Sequence, residues 1–225
     1  MFDFFLNYKD GYAELTRAGT AAVIILAVLC LLSVGLFFPE SRKRFTTKQM
    51  VFSAVAIAIA FLLSSIRLFR MPWGGSVTPL SMLMVTLVGY WYGPRVGLTA
   101  AFSYGLLQFV QGGGDYIVSL WQIAFDYILA FTALGISGFF HKMKNGLPIG
   151  YLCAVLARGL FHSIGGYLYW MDYMPENFPK SLAAVYPILY NYAYILAEAV
   201  ITLIVISLPP VVQGLRTVKK MAKES

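Results

Sequence analysis

The sequence predicts an all-α integral membrane protein with about seven transmembrane helices. Of its 225 residues, 59% are apolar and only 12% are charged, whereas soluble domains have roughly half and a quarter. Several continuous apolar stretches reach about 20 residues, the length that crosses a hydrocarbon core about 30 Å thick. These stretches lack the strict alternation of apolar and polar residues that marks a membrane β-barrel, so the spans are predicted to be helical.

Seven spans are predicted along the chain. The first follows a mixed-charge segment without the basic start and small-residue cleavage site of a signal peptide, so we expect it in the mature protein. The third is the shortest and could be tilted, broken or re-entrant. Several prolines fall at or near span boundaries, where a missing backbone donor costs least. The spans are 18–38, 49–69, 80–92, 95–111, 117–140, 149–171 and 185–208.

The distribution of Lys and Arg predicts the orientation of these spans. The loop 41–48 is strongly basic, which places it on the cytoplasmic side, the amino terminus outside and the carboxyl terminus inside. Arg95, Lys142, Lys144 and the tail 213–225 then also lie inside. Because the basic residues sit in short loops between apolar spans, the net charge of +7 indicates membrane topology rather than a nucleic-acid partner.

The fifth span carries a polar stripe. A carboxylate buried in a span must pair with another group or face water. A hydrogen bond to a neighbouring helix would satisfy Asp126, and so would a binding cavity, which the other polar groups on the stripe favour. At 100° per residue, the stripe falls within about 140° and comprises Tyr116, Ser119, Gln122, Asp126 and Tyr127.

The sixth span and the start of the seventh add aromatic and polar groups. His162, Gly166 and Trp170 recur every four residues, and Gly165 and Gly166 would let a helix or a flat ligand approach closely. An aromatic ring beside a histidine and an acid suits a cationic planar heterocycle, by stacking and cation–π attraction. Tyr186 and Asn191 open the seventh span, although tyrosines at a membrane interface need no ligand to explain them.

Trp73 and two deep charges lie outside these stripes. Trp73 is in the turn-rich external connection between spans two and three, either as an ordinary interfacial tryptophan or as a mobile lid over a ligand. Arg158 and Glu198 lie at equal depth in spans six and seven, where each alone would be an unpaired charge in hydrocarbon. A buried ion pair between them is the economical interpretation, and a functional role is the alternative.

The second span carries small residues at a spacing that lets helices pack closely. Ala54 and Ala58 form one small-xxx-small pattern, and Ala56 and Ala60 form an overlapping one. Packing within the protein and docking to a partner subunit would both use this spacing.

From residue 47 to residue 212, the chain resembles the substrate-binding (S) components of energy-coupling factor (ECF) vitamin transporters, in particular the thiamine-specific family. Members carry a tyrosine ten residues before an acid–tyrosine pair, as in Tyr116, Asp126 and Tyr127. The family acid is typically glutamate. Asp126 is one methylene shorter, which implies a tighter pocket, a bridging water or a different ligand.

Other motifs extend the resemblance. The family has a histidine followed by glycine at plus four and tryptophan at plus eight, and a tyrosine and an asparagine five apart open its last helix. Its lid tryptophan resembles Trp73, and its alanine docking surface resembles span two. The residues matching the helix motifs are His162, Gly166, Trp170, Tyr186 and Asn191.

The resemblance implies an organisation and a function. A six-helix core over 47–212 would follow an extra helix and basic loop over 1–46 and precede a basic tail over 213–225. The subunit would capture thiamine from outside a prokaryotic cell membrane without catalytic residues or a cofactor. A transmembrane coupling subunit and two ATPases would supply the power, and the lack of a GxxxxGK[ST] loop in this chain fits that division of labour.

Other functions stay open at this point. The chain could be an S component or stand-alone transporter for another flat vitamin or precursor, such as a hydroxymethylpyrimidine. It could be an intramembrane enzyme that uses Asp126 and His162, although it contains no HExxH or GxSxG motif. Cys30 and Cys153 both lie in predicted spans, so neither a disulfide framework nor a metal site is expected.

Overall fold

A computed structural model describes residues 5–9, 12–19, 21–22, 25, 45–72, 75–113 and 117–223. Most of the predicted first span, part of the basic loop 41–48, Trp73 and Tyr116 lie outside the described residues. Near the amino terminus, strands β1 (Leu6–Lys9) and β2 (Tyr12–Leu15) form an antiparallel hairpin.

The rest of the described chain is a helical bundle whose boundaries lie within a few residues of the predicted spans. Four segments are long and apolar enough to cross a membrane, namely Thr47–Ser65, Leu120–Phe140, Gly146–Tyr169 and Lys180–Ser207. The helices are α1 (Thr47–Ser65), α2 (Ser81–Tyr92), α3 (Pro94–Gln108), α4 (Leu120–Phe140), α5 (Gly146–Tyr169), α6 (Tyr186–Ser207) and α7 (Pro209–Lys223).

Local sequence sets several of these boundaries. Thr46 and Gln49 form a reciprocal capping box, in which each side chain accepts a hydrogen bond from the other residue's backbone N–H at 3.1 Å. This cap satisfies donors that the first helical turn leaves free, so α1 begins two residues before the predicted span. Gly93, with φ of 89°, separates α2 from α3, and Pro94 occupies the first turn of α3, where a missing N–H costs nothing.

Helix α2 is short and is largely surrounded by the other helices. Its 12 residues rise only about 18 Å, well below the thickness of a hydrocarbon core. Nine of them are buried, and α2 packs against α1, α3, α4 and α5. The shortness of the predicted third span therefore marks a central helix.

Glycines bring α3 and α4 into close contact. A Cβ atom on Gly135 of α4 would lie 2.5 Å from Leu98 Cα of α3, closer than real Cβ atoms approach. Such contacts between small residues are a common means of helix association in membranes. They draw the carboxyl-terminal half of α4 against the core of the bundle.

Consecutive helices from α1 to α6 alternate in direction, which gives the bundle two distinct ends. Residues 66–80 connect α1 to α2 and carry the paired strands β3 (Phe69–Arg70) and β4 (Ser76–Val77). We call these residues the connecting hairpin and the end where they lie the hairpin end. At the opposite end, which we call the basic end, lie Lys48, Arg95, Lys142, Lys144 and the basic residues of α7.

The basic tail forms an ordered helix. Leu215 and Val218 of α7 pack against the core, and the Tyr92 hydroxyl donates to the Ala222 carbonyl at 3.1 Å. Lys219 Nζ lies 3.7 Å from the centroid of the Tyr90 ring. The predicted boundary at residue 213 falls inside this helix, and the division of the chain into core and appendages stays a prediction.

Helix α1 presents its alanines to two different environments. Ala56 and Ala60 are 4% and 0% exposed and belong to the hydrophobic core. They cannot contact a partner subunit, so their assignment to a docking surface is wrong. Ala54 and Ala58 are exposed on the outer face, because residues two apart on a helix point about 200° apart.

Candidate functional site

A cavity of about 530 Å³ opens at the hairpin end. Its volume lies within the roughly 300–1,000 Å³ typical of small-molecule pockets. Of the predicted ligand-binding residues, Trp73 and Tyr116 lie outside the described residues. The others all line this one cavity: Asp126, Tyr127, His162, Gly166, Trp170, Tyr186 and Asn191.

The Asp126 carboxylate is held by side chains from two helices. Its Oδ2 accepts from Trp170 Nε1 at 2.8 Å and from Gln122 Nε2 at 3.0 Å. Gln122 is 1% exposed and is anchored by the Val118 backbone N–H, which donates to Gln122 Oε1 at 3.4 Å. The Oδ1 atom accepts no hydrogen bond from the described residues, so this lone-pair site remains available to a donor on a ligand.

Backbone features of α4 and α5 make room for this carboxylate. Asp126 lies in a π-helical segment, Ala124–Leu129, and π-helical turns occur frequently at functional sites. A Cβ atom on Gly165 would lie 2.4 Å from Asp126 Oδ1, so only glycine leaves space there. The sequence predicts close approach at both glycines of this pair, and they face different neighbours: Gly165 faces Asp126, whereas Gly166 faces Pro187 and Asn191.

His162 and Arg158 form a bonded pair beside the cavity. Arg158 Nε donates to His162 Nε2 at 3.2 Å, and the guanidinium carbon lies 4.4 Å from the centroid of the Phe131 ring. Because a guanidinium only donates, His162 Nε2 is the acceptor in this bond. The Phe131 and His162 rings meet edge to face, with centroids 5.9 Å apart.

The predicted ion pair between Arg158 and Glu198 is not formed in the described structure. Glu198 instead accepts hydrogen bonds from Thr78, Ser81 and Met82. Neutral donors at the start of α2 satisfy this carboxylate, while aromatic and imidazole contacts satisfy the guanidinium. Both side chains line the cavity, which the ion-pair interpretation did not anticipate.

The Asn191 side chain forms most of its hydrogen bonds with other protein groups. Its Nδ2 donates to the Pro187 and His162 carbonyls at 2.9 and 3.2 Å, and its Oδ1 accepts from the Tyr194 hydroxyl at 2.9 Å. These bonds connect α5 to the first turn of α6. One lone pair of Oδ1 is left for a ligand.

Aromatic side chains form much of the cavity wall. The Trp170 and Tyr173 ring centroids are 5.7 Å apart, and those of Tyr186 and Tyr190 are 5.8 Å apart. Tyr127 packs edge to face on Phe109, with centroids 5.5 Å apart. Separations in this range are favourable for aromatic pairs, so the walls are held in place before any ligand enters.

A polar cluster near the mouth was missed by the sequence argument. Ser64 Oγ donates to Gln111 Oε1 at 2.9 Å, and Gln108 Nε2 donates to Ser64 Oγ at 2.9 Å. Gln111 Nε2 also donates to Ser65 Oγ at 2.7 Å, which ties the end of α1 to the segment after α3. Ser64 and Ser65 come from the second span and Gln108 and Gln111 from the end of the fourth. The cluster forms only because the ends of these two helices meet, which no spacing pattern within one helix shows.

Comparisons with known proteins identify the family. The family model described as thiamine transporter protein (Thia_YuaJ) matches residues 50–217. The thiamine transporter ThiT of Bacillus subtilis (strain 168) is 30% identical over 182 residues, which cover 75% of this chain and 92% of that protein.

A solved structure of ThiT from Listeria monocytogenes has a TM-score of 0.62 at 25% identity and covers 77% of this chain and 96% of that one. These matches confirm the all-helical membrane fold and the family that the motif spacing indicates. The chain belongs to the thiamine transporter protein family.

Proposed function

We propose that this chain is the thiamine-binding S component of an ECF importer, which captures the vitamin from outside the cell in the cavity at the hairpin end. The observation that carries the proposal is the Asp126 carboxylate, fixed by Trp170 and Gln122 in an aromatic-walled cavity. Thiamine is a cation made of two planar rings, one of which carries an amino donor, and this arrangement provides both an anionic acceptor and stacking surfaces.

Asp126 and the aromatic residues would have separate roles. Asp126 Oδ1 would accept from the aminopyrimidine or neutralise the thiazolium, while Trp170 and His162 would stack on the rings. Tyr127, Tyr186 and Asn191 would supply edge and polar contacts. Trp73 and Tyr116 stay predictions from the sequence, as a lid and a polar contact respectively.

The shorter acid fits this assignment. Trp170 Nε1 and Gln122 Nε2 both donate to Oδ2. These two hydrogen bonds fix the orientation of the shorter Asp126 side chain. Ligand contact through Oδ1 would then need either a slightly narrower pocket or a bridging water. Thiamine remains the proposed ligand with aspartate at this position.

Membership of a family of thiamine transporters favours binding and transport over the enzymatic alternative. The only hydroxyl next to His162 in sequence, that of Ser163, donates to the Gly159 carbonyl at 2.7 Å. It is therefore directed along its own helix and away from the imidazole. The chain is a transport protein and not an enzyme.

The remaining assignments concern partners and membrane. The exposed Ala54–Ala58 face of α1 would dock on a transmembrane coupling subunit, which two ATPases drive. The membrane would be the prokaryotic cell membrane, with the amino terminus and hairpin end outside and the basic end inside. The excess of Lys and Arg at the basic end supports that orientation.

The test is tryptophan fluorescence of the purified protein during titration with thiamine. We expect saturable quenching at sub-micromolar thiamine. Asp126→Asn removes a charge-assisted contact of about 2 kcal/mol, which corresponds to roughly a 30-fold rise in Kd. Trp170→Ala should weaken binding at least as much, since it removes both a stacking surface and a donor to Asp126.

Asp172→Asn is the matched control, because Asp172 is exposed and lies near Trp170 without lining the cavity. It should bind thiamine like the wild type. A folded wild-type protein that ignores thiamine would contradict the proposal. Titration with hydroxymethylpyrimidine would then show whether the aspartate marks a different ligand.

A further inference from the structure

Glu198 of α6 is a buried carboxylate that the proposed ligand contacts do not use. It is 2% exposed. Its Oε2 accepts from the Thr78 backbone N–H at 3.1 Å and from Thr78 Oγ1 at 2.6 Å. Its Oε1 accepts from Ser81 Oγ at 3.3 Å and from the Met82 N–H at 3.2 Å. Because backbone N–H groups only donate, both oxygens of Glu198 act as acceptors.

The start of α2 explains how this carboxylate is accommodated, although no cation among the described residues bonds to it. Ser81 and Met82 occupy the first turn of α2, where N–H groups have no partner within the helix. A carboxylate bound there satisfies those donors and interacts favourably with the helix dipole. The contact therefore stabilises both the carboxylate of Glu198 and the entry of the connecting hairpin into α2.

The backbone between these contacts is in an unfavourable conformation. Leu80 has φ of 64°, which a residue with a Cβ atom rarely adopts. Glu198 binds Thr78 on one side of Leu80 and Ser81 and Met82 on the other. The same side chain therefore holds both flanks of the strained turn.

Two more residues on the same face of α6 contact the hairpin. Tyr190, Tyr194 and Glu198 recur every four residues and so project from one side of the helix. The Tyr190 hydroxyl donates to the Pro72 carbonyl, and a Cβ atom on Gly75 would lie 2.5 Å from the Tyr194 ring. Helix α6 thus contacts the hairpin at successive points along its length, and Glu198 provides the deepest of them.

We propose that Glu198 is a positioning residue that fixes one wall of the ligand cavity. Ser76, Thr78 and Ser81 line that wall, and the carboxylate joins it to α6, the helix that also carries Tyr186 and Asn191. The inference rests on the proposed function, because it names the Glu198 contact as the feature that sets the dissociation rate of the ligand. Loss of the carboxylate releases the wall, so bound ligand leaves faster.

The experiment compares Glu198→Gln with wild type in two assays. Stopped-flow tryptophan fluorescence gives the dissociation rate of thiamine, and maleimide alkylation of Ser76→Cys reports the accessibility of the wall without ligand. For alkylation, Cys30 and Cys153 are both changed to Ser. Glutamine keeps the shape but replaces one acceptor oxygen with a donor that opposes an N–H, so we expect dissociation to be about tenfold faster or more.

Thr78→Val and a double variant separate positioning from general loss of stability. Thr78→Val removes one hydroxyl donor to Glu198 and nearly preserves shape, so it should accelerate both dissociation and alkylation by a smaller factor than Glu198→Gln. Residues that act through one contact give non-additive effects. The double variant should therefore resemble Glu198→Gln alone. Glu176→Gln, at an exposed position on the same end of the bundle, is the matched control.

Wild-type dissociation and alkylation rates in both single variants would overturn the proposal, even if melting temperatures fell. If Glu198→Gln does not fold, the dissociation and alkylation rates of Thr78→Val test the proposal instead. If wild-type protein does not bind thiamine, the proposed function fails. The alkylation rates still test whether Glu198 holds the wall.

Discussion

Asp126 shows how a single residue depends on contacts from several helices. Its carboxylate lies in α4, a donor comes from Trp170 at the end of α5, and the space it occupies exists because residue 165 lacks a Cβ atom. The stripe on α4 predicts the acid and its neighbour Gln122. It does not predict Gly165, since the need for glycine there arises only when α4 and α5 meet.

Gly165→Ala should weaken thiamine binding without touching a predicted ligand contact. The new Cβ would meet Asp126 Oδ1 at 2.4 Å, so the carboxylate must move away from Trp170 or Gln122. Overpacking of this kind costs about 1–3 kcal/mol, and we expect a Kd at least about tenfold higher in the fluorescence titration. Gly214→Ala is the control, because a Cβ atom at Gly214 meets nothing within 4 Å. Equal affinity in the two variants would contradict this account of the site.

At the scale of elements, α1 has one face that packs in the core and one that is exposed. The alanines that recur four residues apart form two overlapping patterns, and from sequence alone the patterns are equivalent. Burial distinguishes them, since Ala56 and Ala60 are enclosed by the core while Ala54 and Ala58 remain outside. Only the outer pair is available for a partner.

Ala58→Leu should impair assembly and spare ligand binding. An isobutyl group on the outer face of α1 would hold a docking helix away, because close approach requires small side chains. We expect reduced recovery of the coupling subunit when the complex is purified from membranes, with an unchanged Kd for thiamine. Ala193→Leu, at an exposed position on α6, should assemble normally. Wild-type recovery with Ala58→Leu would exclude this face as the docking surface.

For the whole molecule, the two ends of the bundle differ in character. The hairpin end carries the cavity, its aromatic walls and few basic residues. The basic end carries loop lysines and the amphipathic helix α7, packed against the core through Leu215 and Val218. This asymmetry is what the rule that cytoplasmic loops are rich in Lys and Arg predicts for a bundle whose basic end faces the cytoplasm.

Labelling with a membrane-impermeant maleimide in intact cells tests this orientation. Lys180→Cys, near the hairpin end, and Lys142→Cys, at the basic end, are both exposed and are introduced with Cys30 and Cys153 changed to Ser. We expect labelling at position 180 in intact cells and at position 142 only after permeabilisation. The reverse pattern would invert the assigned topology and place the cavity mouth inside.

The sequence by itself determined the membrane class, the positions of the helices from α1 to α6 and the helix faces that carry the ligand-binding candidates. These features depend on apolar length and on 3.6-residue periodicity, both of which are local. Tertiary structure alone decided that Glu198 binds the start of α2 rather than Arg158, that Ala56 and Ala60 are core residues, and that Gly165 makes room for Asp126. Each of these depends on which helices are neighbours, and the periodicity of one helix carries no information about the groups that another helix brings to it.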